Sequence, residues 1–345
     1  YSRDSRGALK EFILEKAGKN LDCLFVTGDI ISAQFADNEK KKKDAYKEAL
    51  EYLKTMHKSI WPQDCEEDIA KRIFTVPGNH DVIRNASRES DIDGITKYYE
   101  SHGKIDPSFC DKIYDCMSLY YEFERELRGE QIAERNNSFH NVFKTDKVNI
   151  LLINTCISSG RDQEEGKLII SDEWLGRQIS QLDQDHPTIA LAHHSIDLLN
   201  RNEQRKVELL LKKRQVSLYL CGHTHERESN VVLKYDQKNI LNSFTSGTLV
   251  ADGDGKTYDT EFLCGEMDLE LSEGKVFAYK WTLENGWHED KDFGLVQDIA
   301  ENYRTFRAGK VDVPFYECVN EHVEYETEDK GVVSKIVPHL SPERT

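Results

Sequence analysis

The chain has 345 residues, of which 38% are hydrophobic and 10% aromatic, enough apolar material to bury a large core and too much for a disordered or collagen-like polymer. Its 46 Lys and Arg stand against 63 Asp and Glu, a net charge of −17, so a phosphate-bearing substrate must be gripped by a local positive feature and bulk nucleic-acid coating is not expected. The apolar runs are strand-length, far short of the ~18 residues a membrane span needs, so no membrane partner is expected.

In chain order, Ala8 to Lys16 carries Leu9, Phe12 and Ile13 at helical spacing, and Leu21 to Val26 is a short apolar run that ends in Thr27-Gly28-Asp29. Lys40 to Met56 reads as a helix with Ala45, Ala49, Leu50 and Leu53 on one face; its lysine run is a solvated helix start. Ile73 to Val76 is a second strand, ending in Pro77-Gly78-Asn79-His80-Asp81. Residues 85–147 turn charged and aromatic with helical spacing and read as a helical insertion beside the site. Strands return at Val148 to Asn154, Thr188 to Ala192 and Val216 to Leu220, with helices at Trp174 to Leu182 and Glu203 to Lys213 between them. Asn239 to Phe244, Gly265 to Leu271 and Lys275 to Trp281 then alternate as strands, with Ser272-Glu273-Gly274 a tight turn. After Gly294 the pattern fades. The expected organisation is a domain over 1–294, its insertion included, and a tail or linker over 295–345 that leads to a possible further domain.

Eight cysteines lie scattered without a CxxC pair, which fits reduced thiols in a cytoplasmic protein. Cys221, in an apolar run, reads as a small core residue. His57, His102, His140, His186, His288, His322 and His339 sit apart from any motif and are read as ordinary structural or surface residues.

Four polar clusters each follow an apolar strand, where an α/β sheet presents its carboxyl ends to ligands. They are Asp29, then Asn79 with His80, then His193 with His194, then His223 with His225. One carboxylate, one amide oxygen and several imidazoles form a donor set suited to Mn²⁺, Fe or Zn²⁺ rather than to Ca²⁺ or Mg²⁺. Gly28, Gly78 and Gly222 each directly precede a candidate ligand, where a residue without Cβ lets the chain turn sharply off a strand.

Gly28-Asp29, Gly78-Asn79-His80-Asp81, His193-His194 and Gly222-His223-Thr224-His225, in that order, resemble the calcineurin-like metallophosphoesterases over roughly residues 1–285. The continuation Asp81-Val82-Ile83-Arg84 looks most like the bacterial cyclic-nucleotide-phosphodiesterase-like branch. The resemblance implies an α/β fold, a four-layer αββα sandwich of two mixed sheets flanked by helices. It implies two divalent metal ions, Mn²⁺ foremost. Asp29 would bridge them, Asn79, His193 and His223 would complete one site, and His225 would join the other. A bridging hydroxide would attack the phosphorus of a phosphodiester or phosphomonoester in line. His80 would stabilise the transition state or protonate the leaving group, and Asp81 would orient His80 or a ligand imidazole. Arg84, Arg161 and His194 are candidate contacts for a nucleotide-like phosphate ester. The family's opening Asp-x-His pair does not occur before Asp29, and the strand that carries it is expected just before Tyr1. The alternatives are a Mn²⁺-dependent nuclease, or a catalytically impaired phosphoesterase-like module that binds a nucleotide or partner.

Overall fold

The computed structural model describes residues 2–16, 21–32, 39–129, 139–214, 216, 218–224, 228–232, 241–249, 260–269, 273–291, 303–307, 319–326 and 332–339. Helix α1 (Ser2–Lys16) leads to strand β1 (Leu24–Val26), helix α2 (Glu39–Ile60), a single turn α3 (Ile69–Arg72) and strand β2 (Ile73–Thr75). In α2 the buried Tyr46, Leu50, Leu53, Met56 and Ile60 recur every three or four residues, the stripe of an amphipathic helix. Three helices follow: α4 (Ala86–His102), α5 (Cys110–Cys116) and α6 (Ser118–Arg128). Asn85 caps α4 by accepting from the Arg88 N–H at 2.8 Å.

Next come β3 (Asn141–Lys144), β4 (Asn149–Ile153), α7 (Asp172–Ile179), β5 (Thr188–Ala192), α8 (Arg201–Lys213) and β6 (Leu218–Cys221). The remaining elements are strands: β7 (Glu228–Val232), β8 (Leu241–Thr245), β9 (Thr260–Asp268), β10 (Glu273–Thr282), β11 (Gly286–Glu289), β12 (Tyr303–Arg307), β13 (Val319–Glu326) and β14 (Val332–His339).

One mixed sheet has the order β3-β4-β5-β6-β8-β7, parallel through β4, β5, β6 and β8 and antiparallel at both edges. Opposite it lie the parallel pair β1-β2 and the antiparallel group of β9, β10, β11 and β12. Packing defines the layers. From β4, Ile150 and Leu152 face Phe74 and Val76 of the opposing sheet, while Leu151 and Ile153 face the side covered by Trp174, Leu175 and Ile179 of α7 and Val207 and Leu211 of α8. The two-residue period of a strand makes that division. Leu218 and Phe244 meet Val276, Ala278 and Phe306 across the same interior. Leu9 and Ile13 of α1 and the apolar stripe of α2 cover the outer side, against Ile73, Tyr279 and Trp287. Helix, sheet, sheet, helix is the expected αββα sandwich.

Two segments depart from the sequence expectation. Among the described residues of the stretch 85–147, the last helix ends at Arg128, and the stretch also holds β3, which pairs antiparallel with β4. Short and half-buried, β3 has too little alternation to announce itself. The stretch after 294 is not featureless: β12 pairs with β10, and β13 pairs with β14 as a hairpin. The chain divides into two compact units, Tyr1–Gly309 and Lys310–Thr345, the hairpin belonging to the second.

The inserted helices brace the strand ends that carry the motifs. Arg128 donates to the Ala70 and Ile73 carbonyls at 2.9 Å each, with its guanidinium over the rings of Phe74 and Phe143. The Ile83 N–H donates to the Cys116 carbonyl at 2.8 Å, fixing the chain just beyond Asp81.

His140 is fully buried; its Nε2 lies 2.9 Å from the Ile170 carbonyl and its Nδ1 accepts from the Asn154 N–H at 3.2 Å. Burial pushes its pKa down to about 4. Between pH 6.5 and 4 the unfolded chain therefore takes a proton there that the folded chain refuses, and stability falls as pH drops through that window. We expect urea midpoints to fall on acidification, with His140→Gln removing about one proton from the slope. An unchanged slope in the variant would count against a neutral buried ring.

Candidate metal centre

The four motif segments meet at the carboxyl ends of β1, β2, β5 and β6. Gly28 and Gly78 allow the first two loops to touch. Gly28 has φ +98°, and a Cβ there would lie 2.5 Å from His193 Nδ1. A Cβ on Gly78 would lie 2.2 Å from the Asp29 nitrogen and 2.1 Å from its Oδ1. Asp29 and His223 themselves hold left-handed φ of 51° and 75°, a conformation that costs a non-glycine residue about 1 kcal/mol and is kept where surrounding contacts enforce it.

Asp29 is the hub. Its Oδ1 accepts from the His80 N–H at 3.0 Å and lies 3.5 Å from His193 Nε2, while its Oδ2 lies 3.2 Å from His80 Nδ1. Burial by itself would raise its pKa; His193, His80 and the His80 N–H, with His223 behind them, overcome that and hold the carboxyl below its usual range. It stays ionised.

His193 Nδ1 sits 2.7 Å from the Thr27 carbonyl and donates to it, which turns Nε2 inward. That Nε2 lies 3.0 Å from Asn79 Oδ1 and 3.2 Å from His223 Nδ1; His223 Nδ1 is 3.3 Å from the same Oδ1. A carboxylate oxygen, an amide oxygen and two ring nitrogens thus converge within a few ångströms. Lone pairs gathered this closely fit a divalent cation, and the mixture of N and O donors suits a transition metal. The structure also brings the His194 ring beside them: one nitrogen from each of His193, His194 and His223 lies within 4.8 Å of the others.

His193, the first of the doublet, is the residue aimed at Asn79. His194 is wholly buried, so it offers a substrate no surface, contrary to the contact expected of it. Its N–H donates to Thr155 Oγ1 at 3.0 Å, and its Nδ1 pairs with that hydroxyl at 2.9 Å. Among the described residues its buried Nε2 has no hydrogen-bond partner, and it lies 4.0 Å from Glu164 Oε2. Burial, reinforced by His193 and His223, drives its pKa well below the ordinary histidine value.

Asp81 does not orient an imidazole through these bonds. Its Oδ2 accepts from the Gly78 N–H at 2.8 Å and the Ile30 N–H at 3.2 Å, and its Oδ1 accepts from the Tyr46 hydroxyl at 2.7 Å. It staples the Asp29 loop to the Asn79 loop. Burial and then the Asp29 charge push its pKa up to about 6.

Arg84 reaches back to the Asn79 amide and places Nη1 3.3 Å from Asp162. Arg161 turns away from the centre, to the Glu89 carbonyl and to Asp93. His225 lies outside the described residues. Among the described residues the seven cysteines form no disulfide, and Cys221 is buried as expected of a core residue.

Sequence reasoning missed Thr27, Tyr46, Thr155 and Glu164. Thr155 follows the end of β4, so the strand-end rule that found the other clusters could have flagged it. Glu164 accepts from Ser159 Oγ at 2.7 Å and from the N–H groups of Gly160 and Arg161 at 2.5 and 2.8 Å, an arrangement with no sequence signature.

The model of the calcineurin-like phosphoesterase family matches residues 3–227. The chain belongs to this family. A metallophosphoesterase-like protein of Bacillus subtilis (strain 168), YydB, itself uncharacterized, is 27% identical over 316 residues. That match covers 88% of this chain and 61% of the relative, so the chain spans under two thirds of the relative's length. Two solved mutants of Vps29 from Entamoeba histolytica are 13% and 12% identical, with TM-scores of 0.23 and 0.24; they cover 53% and 54% of this chain and 86% and 87% of their own. Members of this phosphoesterase family use divalent metal ions and act on phosphate esters. Among the described residues no helix is long and apolar enough to cross a membrane.

Proposed function

We propose that the protein is a dimetal-dependent phosphoesterase that hydrolyses a phosphodiester of nucleotide-like size, with Mn²⁺ its working ion. The observation that carries this reading is the convergence of Asp29 Oδ1, Asn79 Oδ1, His193 Nε2 and His223 Nδ1 at 3.0–3.5 Å. Divalent cations bound there would neutralise phosphate charge and lower the pKa of a nucleophilic water.

The chain's own groups have separate tasks. Asp29 would offer the cations an ionised carboxylate, His193 is oriented by the Thr27 carbonyl, and Asp81 keeps the two ligand loops in register. His80, part-exposed and anchored to Asp29 through Nδ1, is placed to pass a proton to the leaving oxygen. His225 and the family's Asp-x-His pair would furnish the other metal position. Among the described residues β1 pairs only with β2, and a cavity of about 1440 Å³ borders β1. It is lined by Phe25, Phe244, Val276 and Phe306 and meets Asp29 and His223 at one end.

The net charge of −17 favours a small, locally gripped ester over a long polyanion. The test is hydrolysis of bis(p-nitrophenyl) phosphate by the metal-stripped protein with and without Mn²⁺, followed by a panel of cyclic nucleotides, dinucleotides, DNA and phosphopeptides. We expect activity that requires Mn²⁺, is erased by EDTA and by His223→Ala, and prefers small nucleotides. Full activity in EDTA or in His223→Ala would refute the reading, and preference for DNA would favour the nuclease.

A further inference from the structure

The second ring of the His193-His194 doublet is wholly buried, yet it packs against both imidazoles of the candidate ligand set. Its centroid lies 4.6 Å from that of His193, with the ring planes at 77°, and 4.5 Å from that of His223, with the planes at 61°. His193 and His223 are themselves 5.1 Å apart at 78°. Three rings thus meet edge to face in one corner, at separations that such pairs favour.

His194 is anchored at three atoms by groups outside the ligand set. Thr155 Oγ1 accepts from its N–H at 3.0 Å and pairs with its Nδ1 at 2.9 Å, and the Tyr219 hydroxyl donates to its carbonyl at 2.8 Å. The loop that carries Thr155 is braced in turn. From α4 the buried Arg88 donates to the Cys156, Ile157 and Ser159 carbonyls at 3.4, 2.6 and 2.9 Å, and Asn154 Oδ1 accepts from the Cys156 N–H at 2.8 Å. The backbone joins the two ligand loops as well: the Gly222 N–H, directly before His223, donates to the His193 carbonyl at 3.0 Å.

We propose that His194 is a positioning residue, its anchored ring the wall that holds the His193 and His223 imidazoles at the angles presenting Nε2 and Nδ1 to a cation. This rests on the metal-centre reading above and adds the group that keeps two of its ligands in place. The terminal torsion of a histidine is broad, so a ring that turns freely must give up that freedom when it binds a cation. A ring packed against a fixed neighbour has given it up on folding, and the cation is bound more tightly for it.

The wall predicts that the shape of the ring at position 194, rather than its nitrogens, sets metal affinity. His194→Phe keeps a flat ring there, so Mn²⁺ titrated calorimetrically into the metal-stripped variant should bind within about threefold of wild type. His194→Ala gives both ligand rings room to turn and should bind about 10- to 100-fold more weakly, the range for losing a group that orients ligands. Both variants lose the Thr155 bond to Nδ1 and should melt below wild type; for a merely structural histidine, affinity at a temperature where all three are folded would not separate them. Thr155→Val, the same shape without the hydroxyl, should weaken Mn²⁺ binding by about tenfold, and Thr155→Ser should restore it. That pair serves should the His194 variants fail to fold. Wild-type affinity in His194→Ala or in Thr155→Val overturns the wall. An equal loss in His194→Phe and His194→Ala also overturns it and makes His194 a ligand, since one of its nitrogens lies within 4.8 Å of a nitrogen of each of the other two rings. These results leave the metal centre standing, whereas wild-type protein that binds no Mn²⁺ overturns both.

Discussion

Asp29→Ala is expected to lower Mn²⁺-dependent phosphodiester hydrolysis by about 10³-fold or more, beyond the 10- to 100-fold typical of losing a partner outside the ligand set. The reason lies in how many groups converge on this carboxylate: the His80 N–H, His80 Nδ1 and His193 Nε2 all lie within 3.5 Å. Among the described residues it is also the only carboxylate in the group of candidate ligand atoms. Asp29→Asn retains the shape and a side chain that tolerates the left-handed φ of 51°, so it isolates the charge; we expect a loss of about 10²-fold. Circular dichroism and the thermal midpoint should remain near wild type for the asparagine variant. Steady-state kinetics at saturating Mn²⁺ decide the matter, and activity within tenfold of wild type in Asp29→Ala would remove Asp29 from the reaction.

Gly78→Ala should be strongly damaging. The added carbon would lie 2.2 Å from the Asp29 nitrogen and 2.1 Å from its Oδ1, and the backbone atom of that pair cannot swing aside. The two loops would have to part, which breaks the Asp81 staple. We expect a cost of about 3 kcal/mol, at the upper end of ordinary overpacking, and an activity loss of about 10²-fold from displaced ligands. Gly7→Ala is the matched control. Among the described residues nothing lies within 4 Å of its new carbon, and it sits inside α1, so it should stabilise by about 0.5–1 kcal/mol. Urea denaturation of the pair should place them on opposite sides of wild type, and equal midpoints would contradict the close loop approach.

Much of the fold and site was legible before any coordinates because burial leaves a simple signature. The strand at 188–192 and a helix over 203–213, observed from Arg201, were readable from apolar runs and helical spacing, and the four motif clusters from their place just after strands. What stayed hidden depends on long-range geometry. Tyr46 matters because helix α2 lays its hydroxyl on Asp81, 35 residues away, and the Thr27 carbonyl because it orients the His193 ring across 166 residues. The role expected of Asp81 was displaced for the same reason: its oxygens are filled by Gly78, Ile30 and Tyr46, and local spacing cannot show that competition. In the His193-His194 doublet, composition treats the rings alike. Just past the end of β5, the chain turns one ring toward Asn79 and the other toward Thr155.

Calorimetric titration of Mn²⁺ into metal-stripped wild type, Asp29→Ala and His223→Ala tests the central claim most directly, because it needs neither substrate nor turnover. Saturable, stoichiometric binding to wild type that is lost or weakened by about 10²-fold or more in both variants is the predicted result. Equal affinity and stoichiometry in all three proteins would contradict a metal centre built on Asp29 and His223.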